Sequence, residues 1–278
     1  MTLPDPLYMV ILFCTGAFTG LISGLLGVGG GFIMSPIQYW LFQAECGFSL
    51  PPTLAIRMAF GTSLAVIFPN AISGVLKHQK NSAVLWKEGL LMGSFATVAS
   101  FSGAALATQL SAEFLSKIFG LVVILGALKT FKTPAVQSDK KKKLPNSLSE
   151  AALYACCGLL IGFLSGLVGI GGGVIAIPLM LVFLSFGMRE AVGTSAAIML
   201  FTSVGGLFGY ILNGWKEPGL PSYSLGYVNL LNLGLLALPG MFAARLGAEF
   251  AHKVRPEALK CFFILLMLYV GLKMLGLF

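Results

Sequence analysis

A glycine run interrupts the apolar start of the chain: Ser23-Gly24-Leu25-Leu26-Gly27-Val28-Gly29-Gly30-Gly31-Phe32, with Pro36 five residues past the last glycine. It returns as Ser165-Gly166-Leu167-Val168-Gly169-Ile170-Gly171-Gly172-Gly173-Val174, with Pro178 at the same distance. Subtracting 23 from 165 gives an offset of 142, which also carries Gly16, Gly20 and Cys14 onto Gly158, Gly162 and Cys156. The chain is an internal duplication. Each adjacent glycine costs a helix about 1 kcal/mol against alanine and bares backbone that needs hydrogen-bond partners, so a helix must break at each run. In lipid, such a break is tolerated only inside protein or along a water-filled cavity, where transporters build their sites. Gly29, Gly30, Gly31 and Gly171, Gly172, Gly173 are therefore the centre of the expected site.

Composition sets the solvent. With 57% hydrophobic and 10% charged residues and a mean hydropathy of +0.91, the chain is predicted to be an all-α integral membrane protein in a lipid bilayer. Eight apolar stretches, near 7–27, 54–76, 84–108, 113–131, 149–169, 191–213, 224–244 and 258–278, approach the roughly 20 residues that cross a bilayer. Two shorter ones, 32–44 and 174–187, follow the glycine runs and are too short to cross fully. The first stretch has no basic leader or cleavage site and has a twin in mid-chain, so it is expected to be a mature helix. Of five cysteines, four lie in apolar segments and suit packing, with neither a disulfide framework nor a metal spacing. His78 and His252 sit in charged connections and are expected to be solvated. No cofactor or metal is implied. The net charge of +8 draws heavily on Lys140 to Lys143 in one polar linker, which is no nucleic-acid footprint. The expected organisation is a first membrane repeat over 1–132, a basic linker over 133–147 and a second repeat over 148–278.

A second doubled motif supplies hydroxyls. Arg57 precedes Gly61-Thr62-Ser63, and Arg189 precedes Gly193-Thr194-Ser195, at an offset of 132. Asn70 and Gly74 follow Ser63 by seven and eleven residues, as Thr202 and Gly206 follow Ser195, which puts each set on one helical face. The stripes Gly16, Gly20, Gly24 and Gly158, Gly162, Gly166 suit close helix packing. Each half then holds five hydrophobic segments, including a glycine-broken re-entrant pair, and makes an odd number of crossings. A duplicated odd unit is inverted. The positive-inside rule places the linker in the cytoplasm and both termini outside.

Helix N-terminal amides and the hydroxyls of Thr62, Ser63, Thr194 and Ser195, with Asn70 and Thr202 beside them, suit a small oxyanion. Arg57 and Arg189 stand at the mouths. The ten acidic residues fall at segment ends or in connections, which argues against a cation carrier and a side-chain proton relay. No catalytic residues are indicated: no His/Asp/Ser set or carboxylate pair lies within a segment, so the chain is not expected to be an enzyme.

The doubled pattern, Gly24 to Pro36 with Ala59 to Ser63 and Gly166 to Pro178 with Ala191 to Ser195, resembles the sulfite exporter TauE/SafE family over nearly the whole chain. The resemblance implies a permease of the bacterial plasma (inner) membrane carrying sulfite, an organosulfonate or a related anion. A co-transported proton and an oligomeric state stay open. The alternatives are a permease for another small anion and a non-transporting scaffold or assembly factor whose glycines merely pack.

Overall fold

The apolar segments become helices whose ends are set by proline and glycine. The computed structural model describes residues 5–132, 148–251, 253 and 256–276. Among them run α1 Pro6–Leu26, α2 Gly31–Gln43, α3 Pro52–Lys80, α4 Trp86–Ala107, α5 Ala112–Lys132, α6 Leu148–Val168, α7 Gly173–Val182, α8 Met188–Asn213, α9 Leu230–Ala251 and α10 Pro256–Met274. Prolines open α1 and α3 at their first position, where the missing N–H costs nothing. At α8, the Glu190 carboxylate accepts the Gly187 N–H at 3.0 Å. The linker at 133–147, His252 and Arg255 lie outside the described residues.

Six helices among the described residues are long and apolar enough to cross a bilayer: α1, α3, α4, α6, α8 and α9. Large apolar side chains such as Leu7, Val98, Phe131 and Phe242 stand exposed on the outside, as lipid-facing residues do. The protein is an integral membrane protein, and it is nearly all helical. The exception is a short antiparallel hairpin before α9, β1 Ser224–Leu225 with β2 Val228–Asn229, which the all-helical expectation did not contain.

Contacts fix the helix directions. A Cβ on Gly16, Gly20 or Gly24 would fall within 2.4 Å of the carbonyl oxygen of Leu236, Gly240 or Ala244, so α1 runs parallel to α9 at backbone contact. Gly158, Gly162 and Gly166 meet Met92, Ala96 and Ser100 in the same way, so α6 runs parallel to α4. Both glycine stripes are packing seams. Thr62 to Asn229, Ser73 to Met241 and Lys77 to Glu249 make α3 parallel to α9. Gly61 against Tyr210 and Gly206 against Leu64 make α3 antiparallel to α8. Thus α1, α3 and α9 point one way, while α4, α6 and α8 point the other. Between the parallel α1 and α3 runs α2, and the Asp5 N–H before α1 reaches the Cys46 carbonyl after α2 at 3.2 Å. At 13 residues, α2 is only about 20 Å long.

Candidate functional site at the crossing of the glycine runs

Each long helix ends in the left-handed region before its short successor begins. Gly27, Gly29 and Gly30 have φ of 65°, 83° and 70°, and their equivalents Gly169, Gly171 and Gly172 have 65°, 81° and 88°. A side chain there would be strained. Gly31 and Gly173 are needed for another reason. A Cβ on Gly31 would lie 2.8 Å from the carbonyl oxygens of Gly169 and Ile170, and one on Gly173 would lie 2.5 Å from Gly27 O and Val28 Cα. The two runs cross at backbone contact in the middle of the protein, and all their residues are buried except the half-buried Leu25.

Carbonyls and amides fare differently at this crossing. Ser195 Oγ donates to Gly27 O, and Ser35 Oγ donates to Gly169 O at 3.3 Å. Thr202 Oγ1 donates to Gly171 O at 2.7 Å. His78 Nε2 lies 3.0 Å from Gly24 O, and Tyr210 Oη donates to its equivalent Gly166 O at 3.0 Å. Five carbonyls are thus met by side chains. The amides of Val28 to Phe32 and of Ile170 to Val174, by contrast, find no acceptor among the described residues. Buried amides without partners are uncommon and costly, and successive ones at a helix start form a concave donor surface for an anion.

The expected hydroxyls divide into two groups. Thr62 Oγ1 accepts the Asn229 N–H at 3.0 Å, and Thr194 Oγ1 accepts the Leu85 N–H at 3.0 Å, so each ties its helix to the start of the neighbouring one. Ser63 and Ser195 face the crossing. Ser63 Oγ accepts from Gln38 Nε2 at 2.9 Å and lies within hydrogen-bond reach of Ser35 Oγ at 3.0 Å. Among the described residues Asn70, buried like Thr202, has neither amide atom partnered, and Gln38 Oε1 and Ser165 Oγ are also unpartnered. Ile67 and Met199, equivalent at the offset of 132, pack against Gly31, Gly171 and Gly29 and close the crossing.

Arg57 is held at the rim: its Nη1 donates to Tyr227 Oη at 3.3 Å and stands 4.0 Å from Glu217 Oε1. The hairpin delivers that tyrosine, whose phenol burial pushes above its usual pKa against the pull of the guanidinium. Arg189, its equivalent at the offset of 132, is the second residue of α8, whereas Arg57 lies a turn into α3. His78, expected to be solvated, is buried on the face of α3 that meets α1. Ser35 and Gln38 were also missed, although a polar pair three apart in an apolar half-helix is a visible signal. Glu88, in the first turn of α4, is buried despite its place at a segment end. Among the described residues no three His, Cys, Asp or Glu side chains gather around a metal-sized space.

The family described as Sulfite exporter TauE/SafE matches residues 12–274. A probable membrane transporter protein of Methanocaldococcus jannaschii is 31% identical over 272 residues, covering 97% of this chain and 96% of its own length. One from Haemophilus influenzae is 29% identical, covering 96% and 99%. One from Bacillus subtilis is 28% identical, covering 92% and 96%. No solved structure matches the chain.

Proposed function

The chain belongs to the sulfite exporter TauE/SafE family, and from that premise we propose a secondary transporter of the plasma membrane that moves a small sulfur-containing oxyanion, such as sulfite or an organosulfonate. One observation carries the anion: at the crossing the side chains cap the carbonyls and leave two series of buried amides without acceptors. A negative group between two helix starts would take those donors, and such charge-assisted bonds are about twice as strong as neutral ones. In this reading the amides of Gly29 to Gly31 and Gly171 to Gly173 hold the oxyanion, and Ser63, Ser195, Asn70 and Thr202 line the space. Thr62 and Thr194 position the two helices, and Arg57 and Arg189 attract anions at the two mouths.

The transport cycle follows from two inverted repeats, 1–132 and 148–278. The helix directions support this: α1 and α3 of the first oppose their counterparts α6 and α8 of the second. Each broken pair would then re-enter from its own side, and rocking one repeat on the other would open the crossing alternately. Ile67 and Met199 pack against the crossing, as side chains of an occluded state would. Lys77, Lys80 and Lys87 share one end of the bundle with the start of α6, because α6 lies beside α4 in parallel register. That end would be cytoplasmic.

The test is anion flux in proteoliposomes over sulfite, sulfate, thiosulfate, taurine and sulfoacetate, with thermal stabilisation in detergent as the binding readout. Saturable flux of one of them is expected. Protein that is monodisperse, inserted and inert to the whole panel would overturn the reading and leave a scaffold.

A further inference from the structure

Near the ends of α3 and α9 a cavity of about 190 Å³ is lined by Ser73, Leu76, Lys77, Lys80 and Arg245. Its charge is strongly one-sided. Glu249 is shared between Lys77, at 3.0 Å, and Lys253, at 3.3 Å, while Lys80 and Arg245 make no hydrogen bond or ion pair among the described residues. None of the residues that line it belongs to the glycine runs. Leu76 beside it is 59% exposed and Phe242, one turn before Arg245, is 76% exposed, so its outer wall is lipid-facing surface. Ser73 donates to Met241 O at 2.7 Å, which pins the two helices together along the floor.

The duplication provides an internal control. Offsets of 132 and 144 carry Ser73, Leu76, Lys77, Lys80 and Arg245 onto Gly205, Phe208, Gly209, Leu212 and Phe101. The equivalent positions at the opposite end of the bundle, on α8 and α4, therefore carry no charge. The repeat does not need these cations to fold. A path for an anion crossing the bilayer would want attraction at both mouths, whereas a ligand resident in one leaflet wants it at one end only.

We infer that this groove holds the phosphate headgroup of an anionic phospholipid from the leaflet on the Lys77 side, with Lys80 and Arg245 on the phosphate and the acyl chains along Leu76 and Phe242. Arg245 offers a forked donor set for phosphate oxygens, and Lys80 adds a point charge at the polar boundary. The geometry suits an amphiphile because cations and exposed apolar surface adjoin within one turn of each helix.

Purified protein in a neutral detergent is titrated with dioctanoyl phosphatidylglycerol, dioctanoyl phosphatidylcholine, and glycerol phosphate as the headgroup alone, read by native mass spectrometry and by melting temperature. Phosphatidylglycerol should bind saturably and raise the melting temperature, and the other two should not. Lys80→Gln should weaken binding about fivefold and Lys80→Gln with Arg245→Gln about thirtyfold, from a surface charge effect of that size per cation. Lys87→Gln, an exposed cation at the same end outside the groove, should change nothing. Equal effects of glycerol phosphate and phosphatidylglycerol would overturn the lipid assignment in favour of a soluble anion. Undiminished lipid binding in both variants would overturn the site itself and leave these cations to set orientation. Neither result depends on transport, so this inference and the proposed function can fail separately.

Discussion

The two glycine breaks share a backbone and differ in what surrounds it. Their positive-φ residues fall at the same places, side chains meet the same two carbonyls in each, Gly24 and Gly27 in the first and Gly166 and Gly169 in the second, and each is crossed by the other. Around the first break stand Thr15, Thr19, Ser35, Gln38 and Asn70, all buried. Their equivalents around the second are Cys157, Ile161, Ile177, Met180 and Thr202. The geometry of the break is a requirement of the fold and is met twice, whereas at these five positions the polar side chains belong to the first half, Thr202 excepted. In a transporter this means the first break would select the anion and the second would close over it. Asn70 and Gln38 of the first half carry three of the unpartnered atoms, and Ser165 of the second carries one.

The largest expected effect tests what the halves share. Gly30→Leu meets Thr19 O at 2.7 Å and Gly172→Leu meets Ile161 at 2.8 Å, each at a positive φ. Both should abolish flux in proteoliposomes while some inserted protein survives. If one tolerated leucine with normal flux, the breaks would not be equivalent.

A sharper cut separates selection from scaffolding. Thr202→Val strips a donor from Gly171 O and should destabilise by about 1–3 kcal/mol, the usual cost of an abandoned buried acceptor. Asn70→Leu removes two atoms that bond nothing, so its melting temperature should hold or rise. Its apparent affinity for the transported anion should nonetheless fall tenfold or more, measured by flux against concentration. A destabilised Asn70→Leu of normal affinity would reverse the assignment of roles.

Next come the serines. Ser195→Ala unseats Gly27 O and Ser63→Ala leaves Ser35 still bonded to Gly169 O, so the first should lose more stability than the second. Both should weaken anion affinity about tenfold, since a bond to a charged group is worth roughly 1.5–3 kcal/mol. Wild-type affinity in both, on protein shown to be folded by its size-exclusion profile, would return the crossing to packing alone.

The duplication, the break and the closeness of the glycine stripes were legible because each follows from backbone sterics that glycine alone satisfies. Helix existence was legible from hydropathy. The directions of hydroxyls were not: Thr62 and Thr194 look like Ser63 and Ser195 in sequence, yet they bond the start of a helix distant in the chain. The two-residue strands before α9 are too short to carry an alternation that could be seen. His78 was obscured by its charged neighbours Lys77 and Lys80. Its position was readable all the same, four residues past Gly74 and eight past Asn70, on the one polar face of α3.

The smallest expected effect concerns that histidine and its counterpart. A carbonyl only accepts, so His78 Nε2 must carry the proton it gives to Gly24 O, and Tyr210 gives its phenol proton to the equivalent Gly166 O. Tyr210→Phe keeps the ring in its pocket against Tyr227 and Gly61 and removes one neutral bond, which should cost about 1 kcal/mol and lower the melting temperature by a few degrees. His78→Phe removes the matching bond but exchanges a five-membered ring for a larger one beside the α1 backbone, so it should cost somewhat more. His78→Gln, which keeps a donor on a side chain of similar reach, should recover part of the loss. Anion affinity should move less than threefold in all three, because Gly24 and Gly166 lie a turn before the crossing. A large affinity change in Tyr210→Phe alone would place a substrate contact in the second half and break the division of labour between the two breaks.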